Sequence, residues 1–267
     1  MRSIGGSDPS QNDEFNRASY GKIASRYAIF RPDYPQELFD AILENVDVRG
    51  TALDCATGTG QAASLLCDSF ERVLAYDISP GQIEHLARRP NLFGFAARSE
   101  ALPISGAVAD LVTVAQAVHW FDLEKFWPEV HRISRPGAVV AIWGYGFFEV
   151  DEEIDPVVLR ELRDPVAPYW GSGNLILLEE YRTIPFPFEE IASPKIVMRQ
   201  QWTLDRLLDY VGTWSALNRH AVEEGPGLLE RARKALLPLW GAEQVREVRM
   251  PVTLKMGRVA GPRDRTV

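Results

Sequence analysis

The feature that most constrains this chain is a series of five short apolar runs, starting at Thr51 and separated by amphipathic stretches. TALDCA (residues 51–56), RVLAYD (72–77), FGFAA (93–97), DLVTVAQ (110–116) and AVVAIWGY (138–145) read as strands buried on both faces. Helices are expected between them, over residues 61–69, 80–89 and 123–133. The second of these has Ser79 as a candidate N-cap and Pro80 at its first position, where a missing N–H costs nothing. Regular strand–helix alternation predicts a parallel sheet wound on both faces. Right-handed crossovers then bring the loops that follow the strands to one edge, where ligands bind.

Beyond Gly146 the alternation stops. Residues 151–164 predict a helix, and 169–190 an irregular insertion rich in proline, glycine and aromatics. Residues 194–202 predict a strand, 204–219 and 227–240 two amphipathic helices, and 245–258 a final strand. Ahead of the alternation, residues 13–46 look helical, interrupted by RPDYP (31–35), whose two prolines forbid helix continuation. The expected architecture is therefore α/β: a Rossmann-like, doubly wound, mostly parallel seven-stranded sheet with an N-terminal helical cap and a C-terminal helical lid insertion. Its boundaries are expected at 1–14 (polar, disordered leader), 15–48 (cap), 49–146 (core), 147–244 (insertion and lid) and 245–267 (last strand and tail).

Composition removes several classes of function. A net charge of −8 argues against nucleic acid as a partner, because phosphate binding relies on surplus Lys and Arg. Anionic small molecules stay open, since one or two arginines can hold a carboxylate. Cys55 and Cys67, the two cysteines, lack companions at ligand spacing, so they predict reduced thiols with neither a disulfide framework nor a metal. No apolar run reaches the ~18 residues of a membrane span, and the polar N-terminus has no secretory core. A cytoplasmic monomer or homodimer acting on a small molecule, with no membrane partner, is the expectation.

The most informative stretch is LDCATGTGQ, residues 53–61. A buried strand ends in a turn carrying Gly58 and Gly60, and a helix should start near Gln61. Gly58, Gly60 and Ala63 also satisfy the dinucleotide fingerprint G-x-G-x-x-A, with Asp77 near the distance expected of a ribose ligand. Charge separates the two ligands. A dinucleotide would seat its pyrophosphate on the helix N-terminus. Asp54 stands just ahead of that turn and would repel it, yet suits an ammonium and a positive sulfur.

Taken in order and spacing, LDCATGTGQ, AYDISPGQ, SEALP, DLVTVAQAVHWFD and RPGAVVAIW resemble the class I S-adenosylmethionine-dependent methyltransferases. RPDYP and YVGTWSA resemble in particular the branch of trans-aconitate and related small-acid methyltransferases. The resemblance implies S-adenosylmethionine as cofactor. It sets Asp54, Ala56, Gly58 and Gly60 around the methionine and ribose portions, Asp77 on the ribose hydroxyls and Ile78 against adenine. Arg98 and Ser99 would border the adenine amino edge, with Gln116 and Ala117 flanking the methionine part. Tyr27 and Arg31 are expected toward the cofactor. Ala56 stands where the family has its first motif glycine, a departure that could narrow the turn.

On the acceptor side, His119 and Trp120 follow the fourth strand. His119 is the candidate general base, because its ordinary pKa lies near working pH; the alternative is a histidine that anchors backbone and braces Trp120. Tyr20 and Arg26 in the cap, and Trp214 and Ser215 in the lid, are the further candidate substrate residues. A carboxylate acceptor is already anionic at pH 7 and needs no base, whereas a hydroxyl does. The expected activity is O-methylation of a carboxylic acid or hydroxylated metabolite. The competing readings are a non-catalytic S-adenosylmethionine-binding protein and an NAD-dependent oxidoreductase.

Overall fold

The computed structural model describes residues 30–242 and 244–260. Tyr20, Arg26, Tyr27 and the expected leader lie outside them. The chain divides into two compact units. One contains residues 33–145, 179–196 and 252–260; the other contains 30–32, 146–178 and 197–251.

The first unit is built on the sheet. Its elements are α1 (Gln36–Leu43), β1 (Thr51–Cys55), α2 (Gln61–Leu66), β2 (Arg72–Asp77), α3 (Pro80–Ile83), β3 (Leu92–Ala96), β4 (Ala109–Ala115), α4 (Leu123–Ile133) and β5 (Ser134–Tyr145). The short strand β6 (Glu189–Ile191) and the second half of β8 (Arg246–Arg258) complete it. The sheet order is β3-β2-β1-β4-β5-β8-β6, and β7 (Ile196–Trp202) also pairs with β8. Strands β1 to β5 pair in parallel, while β8 runs antiparallel to β5 and to β6. The sheet thus has eight strands rather than the expected seven. The additional strand, β6, is three residues long and carries no alternation that would mark it in the sequence.

β1 is buried at all five positions, as a strand with neighbours on both edges and cover on both faces must be. The chain runs outward from β1 to β2 and β3 on one side, then returns to β4 and β5 on the other. The carboxyl ends of β1 and β4 therefore flank the point where strand order reverses, where loops part and leave a crevice. Register puts Asp54 beside Thr113 of β4, one residue short of the end of β1.

Helix boundaries correct the sequence reading in places. The helix expected over 80–89 stops at Ile83 and gives way to turns, and Pro90 keeps Arg89 away from helical geometry at the far end of that stretch. The helix expected over 61–69 ends at Leu66, and α1 ends at Leu43.

In the second unit, the expected helix at 151–164 is α5 (Asp155–Val158), a wide π turn (Leu159–Arg163) and α6 (Asp164–Val166). Pro165 has no N–H to return to the preceding turn, and the wide turn accommodates its ring. The stretch expected to be irregular contains α7 (Ser172–Leu178) as well as β6. The single helix expected at 204–219 is two, α8 (Leu204–Val211) and α9 (Ser215–Glu223), followed by α10 (Leu228–Trp240). The break falls at Gly212–Thr213, where the Thr213 hydroxyl donates to the Tyr210 carbonyl at 2.6 Å. Such a hydroxyl offers the backbone an alternative to the helical ladder.

Candidate active site

The turn after β1 is held by two carboxylates. Asp54 is 1% exposed, and its two oxygens accept from the hydroxyls of Thr57 at 2.6 Å and Thr113 at 2.7 Å. Burial pushes its pKa up from 3.8 to about 6; the threonine hydrogen bonds oppose the shift and the nearby Asp77 adds to it. A carboxylate so placed favours a cation as neighbour. Asp77, at the end of β2, accepts from the Gly58 N–H at 3.0 Å and the Ser79 N–H at 2.9 Å. It ties the turn after β1 to the turn after β2. Burial raises its pKa as well, opposed by those backbone hydrogen bonds.

Left-handed backbone shapes the turn. Gly58 has φ 56° and Gly60 φ 84°. A side chain at Gly60 would come within 2.5 Å of Leu86, whereas at Gly58 it would meet none of the described residues within 4 Å. Among the described residues nothing closes the space over Gly58, and a position without a side chain lets a ligand approach the backbone. Ala56, where the family pattern has glycine, also adopts φ 50°. Its methyl group tolerates the conformation at a cost of about 1–2 kcal/mol, so the turn is kept in shape without the glycine.

The other expected cofactor residues line up along the same strand ends. Ile78 is 66% exposed, an apolar side chain beside Asp77 with no cover of its own. Ser99 is buried, while the side chain of Arg98 points outward and pairs loosely with Glu100 at 3.5 Å. Gln116, just past β4, has φ 56°. Its N–H donates to the Trp143 carbonyl at 2.8 Å, and its side-chain amide to the Tyr145 carbonyl at 3.2 Å. Non-glycine residues in this region store strain and cluster at functional sites. Ala117 is buried beside it.

His119 and Trp120 lie in a 3₁₀ turn (Val118–Trp120) that follows directly. His119 is buried, its ring 4.8 Å from that of Trp120, and burial drives its pKa down from 6.5 to about 3. Its Nδ1 lies 3.2 Å from the hydroxyl of Tyr181. Tyr181, Thr57 and Thr113 are residues that the sequence reading did not place at the site. A threonine at the position opposite Asp54 in β4 was the one available signal for Thr113; for Tyr181, inside an insertion without periodicity, there was none.

The remaining expected residues belong to the other unit. Arg31 stacks its guanidinium over the Tyr210 ring at 5.4 Å. Trp214 is 3% exposed and packs among Phe147, Trp170 and Tyr210, with ring centroids 5.7, 5.7 and 6.2 Å away. Ser215 opens α9. A cleft of about 490 Å³ lined by Arg49, Arg72 and Arg135 contains Gly50 and Thr51, at the amino ends of the strands and so opposite the turns described above. Among the described residues no group of His, Cys, Asp and Glu is arranged to hold a metal, and no helix is long and apolar enough to cross a membrane.

This geometry agrees with comparisons to known proteins. A methyltransferase-domain family profile matches residues 53–142, the span from β1 into β5. The solved structure of a candidate type II methyltransferase from Anaeromyxobacter dehalogenans is 39% identical, with a TM-score of 0.82, covering 87% of this chain and 100% of that one. The chain belongs to the class I S-adenosylmethionine-dependent methyltransferases. A candidate methyltransferase of Dictyostelium discoideum is 28% identical over 90% of this methyltransferase and 94% of its own length. A malonyl-[acyl-carrier protein] O-methyltransferase of Hahella chejuensis is 40% identical over 91 residues, 32% of this chain and 33% of its own.

The cofactor of this methyltransferase is S-adenosylmethionine. The residues at these strand ends suit that molecule better than a dinucleotide: a buried carboxylate stands at the turn, a second ties the loops, and no described residue covers the Gly58 backbone.

Proposed function

We propose that this methyltransferase methylates an oxygen of a small carboxylic acid, as the resemblance to trans-aconitate and small-acid methyltransferases suggests. The carrying observation is the state of His119. A useful base has a pKa near working pH. Burial leaves the His119 imidazole a weak base, near 3, and among the described residues no carboxylate contacts it to stabilise an imidazolium. A hydroxyl acceptor would have to lose its proton to this group, far uphill. A carboxylate acceptor arrives as the nucleophile, so no proton has to move.

S-adenosylmethionine supplies, when bound, a methyl group activated by positive sulfur. Asp54, with Ala56, Gly58 and Gly60, would face the cationic methionine portion, and Asp77 would accept the ribose hydroxyls on lone pairs that Gly58 and Ser79 leave free. Ile78 would lie against adenine, bordered by Ser99 and Arg98, and Gln116 and Ala117 would close the methionine side. What these residues contribute is alignment and exclusion of water, which together can supply about 7–11 kcal/mol to an in-line displacement. The O-methyltransferase named among the relatives supports oxygen as the acceptor atom, through the third of its length that aligns.

The test is turnover of labelled methyl donor with a panel of small mono-, di- and tricarboxylic acids set against phenols and alcohols. Base-labile methyl esters formed from acids are the expected product. Turnover of phenols or alcohols alone would refute the proposal, and cofactor binding without any turnover would favour a non-catalytic binding protein.

A further inference from the structure

Tyr181 is the residue outside the glycine turn on which the site geometry converges. It is completely buried, and its hydroxyl lies 3.2 Å from Nδ1 of His119. The two rings stand 5.8 Å apart at an interplanar angle of 31°. Tyr181 and the residue before it, Glu180, both occupy the left-handed region, with φ 55° and 59°. Two consecutive non-glycine residues there cost about 1–2 kcal/mol each, and such strain persists only where the surroundings over-determine it. The segment carrying them, Glu179–Ile196, clusters with the sheet unit. Its strained turn delivers one phenol to one imidazole.

The direction of that hydrogen bond follows from acidity. A phenol is a far stronger acid than the N–H of a neutral imidazole, and an imidazole nitrogen is the better acceptor, so donation from the Tyr181 O–H to Nδ1 is the favoured direction of this contact. The proton of a neutral imidazole must then reside on Nε2. Nε2 makes no hydrogen bond among the described residues. The turn that carries His119 lies just past the end of β4, beside the reversal point of the sheet.

We infer that Tyr181 is a positioning residue that locks His119 in its Nε2–H tautomer, so that His119 offers a neutral N–H donor to the anionic oxygen of the methyl acceptor. The inference rests on the carboxylate reading of the acceptor for its last step and on geometry for the rest. A neutral donor suits that task. It orients an anionic oxygen while leaving its lone pair nucleophilic, and it carries no charge to oppose the positive sulfur of the cofactor.

The test uses the full-length chain labelled with ¹⁵N-histidine and saturated with S-adenosylhomocysteine. The His119 signals are assigned by their loss in His119→Asn. The expected spectrum shows Nδ1 unprotonated and Nε2 protonated, and in Tyr181→Phe the two nitrogens shift toward a mixture of tautomers. A proton on Nδ1 in the wild-type chain overturns the inference, as does an unchanged pattern in Tyr181→Phe. Should that variant fail to fold, the wild-type spectrum decides alone. With an acid found by the turnover panel, Tyr181→Phe is expected to lower kcat at least ten-fold and to alter KM less than three-fold. A larger effect on KM than on kcat overturns the positioning role. The spectrum requires no acceptor, so a wrong tautomer sinks the inference, whereas a correct tautomer with turnover of phenols alone sinks the carboxylate reading.

Discussion

Replacing Asp54 by Asn should make the protein more stable and a poorer binder of its cofactor. The folded chain holds this carboxyl at about 6 rather than 3.8, chiefly because burial disfavours its charge. A raised carboxyl pKa means that the native state binds more protons than the unfolded state between those values. Stability therefore falls as pH rises through that window, and the loss is complete above it. Two pKa units correspond to about 3 kcal/mol at pH 7. Asn removes the charge but offers only one acceptor oxygen to the hydroxyls of Thr57 and Thr113, so part of the gain is lost, since each weakened hydrogen bond is worth about 1 kcal/mol. A net stabilisation of about 1–2 kcal/mol at pH 7 is expected, vanishing at about pH 4.5–5 and reversing below, where only the weakened hydrogen bonds count, read by urea denaturation of the cofactor-free chain. Affinity for S-adenosylmethionine should drop by about 1.5–3 kcal/mol, the contribution of a hydrogen bond to a charged group, read by calorimetry. The wild-type chain should also release protons on binding near pH 6, because a cation beside Asp54 lowers its pKa. A variant that is no more stable at pH 7, or that binds the cofactor as well as wild type, would refute the claim that the buried charge is there for a cationic ligand.

Two further expectations concern the same turns. Ala56→Gly should stabilise the chain by about 0.5–1 kcal/mol by denaturant titration, since relief of a left-handed alanine exceeds the added backbone freedom of glycine. Asp77→Ala should weaken cofactor binding by about 1–3 kcal/mol, because it leaves ribose hydroxyls and the Gly58 and Ser79 N–H groups without their acceptor; unchanged affinity would show the ribose to lie elsewhere.

The alternation of residues 51–145 by itself determined the parallel sheet, and the glycine turn beside Asp54 pointed to a cationic ligand at the sheet's carboxyl edge. These properties are local: buried strands are runs of apolar residues, and the left-handed positions of the turn after β1, 56, 58 and 60, carry alanine and glycine. Asp54 was legible as an acid at the end of a buried strand, but the hydroxyls that hold its carboxylate were not, because one belongs to Thr113, 59 residues away on the neighbouring strand, and opposes the rise in pKa that burial causes. His119 could be found from its place after β4, yet whether it serves as a base is decided by how deeply it is covered. Its partner Tyr181 lies 62 residues on, in a segment without any repeating pattern. Periodicity records which side of an element faces the core. It holds no record of which distant side chain meets a given atom there, and that meeting is what sets the charge and the tautomer of the groups at this site.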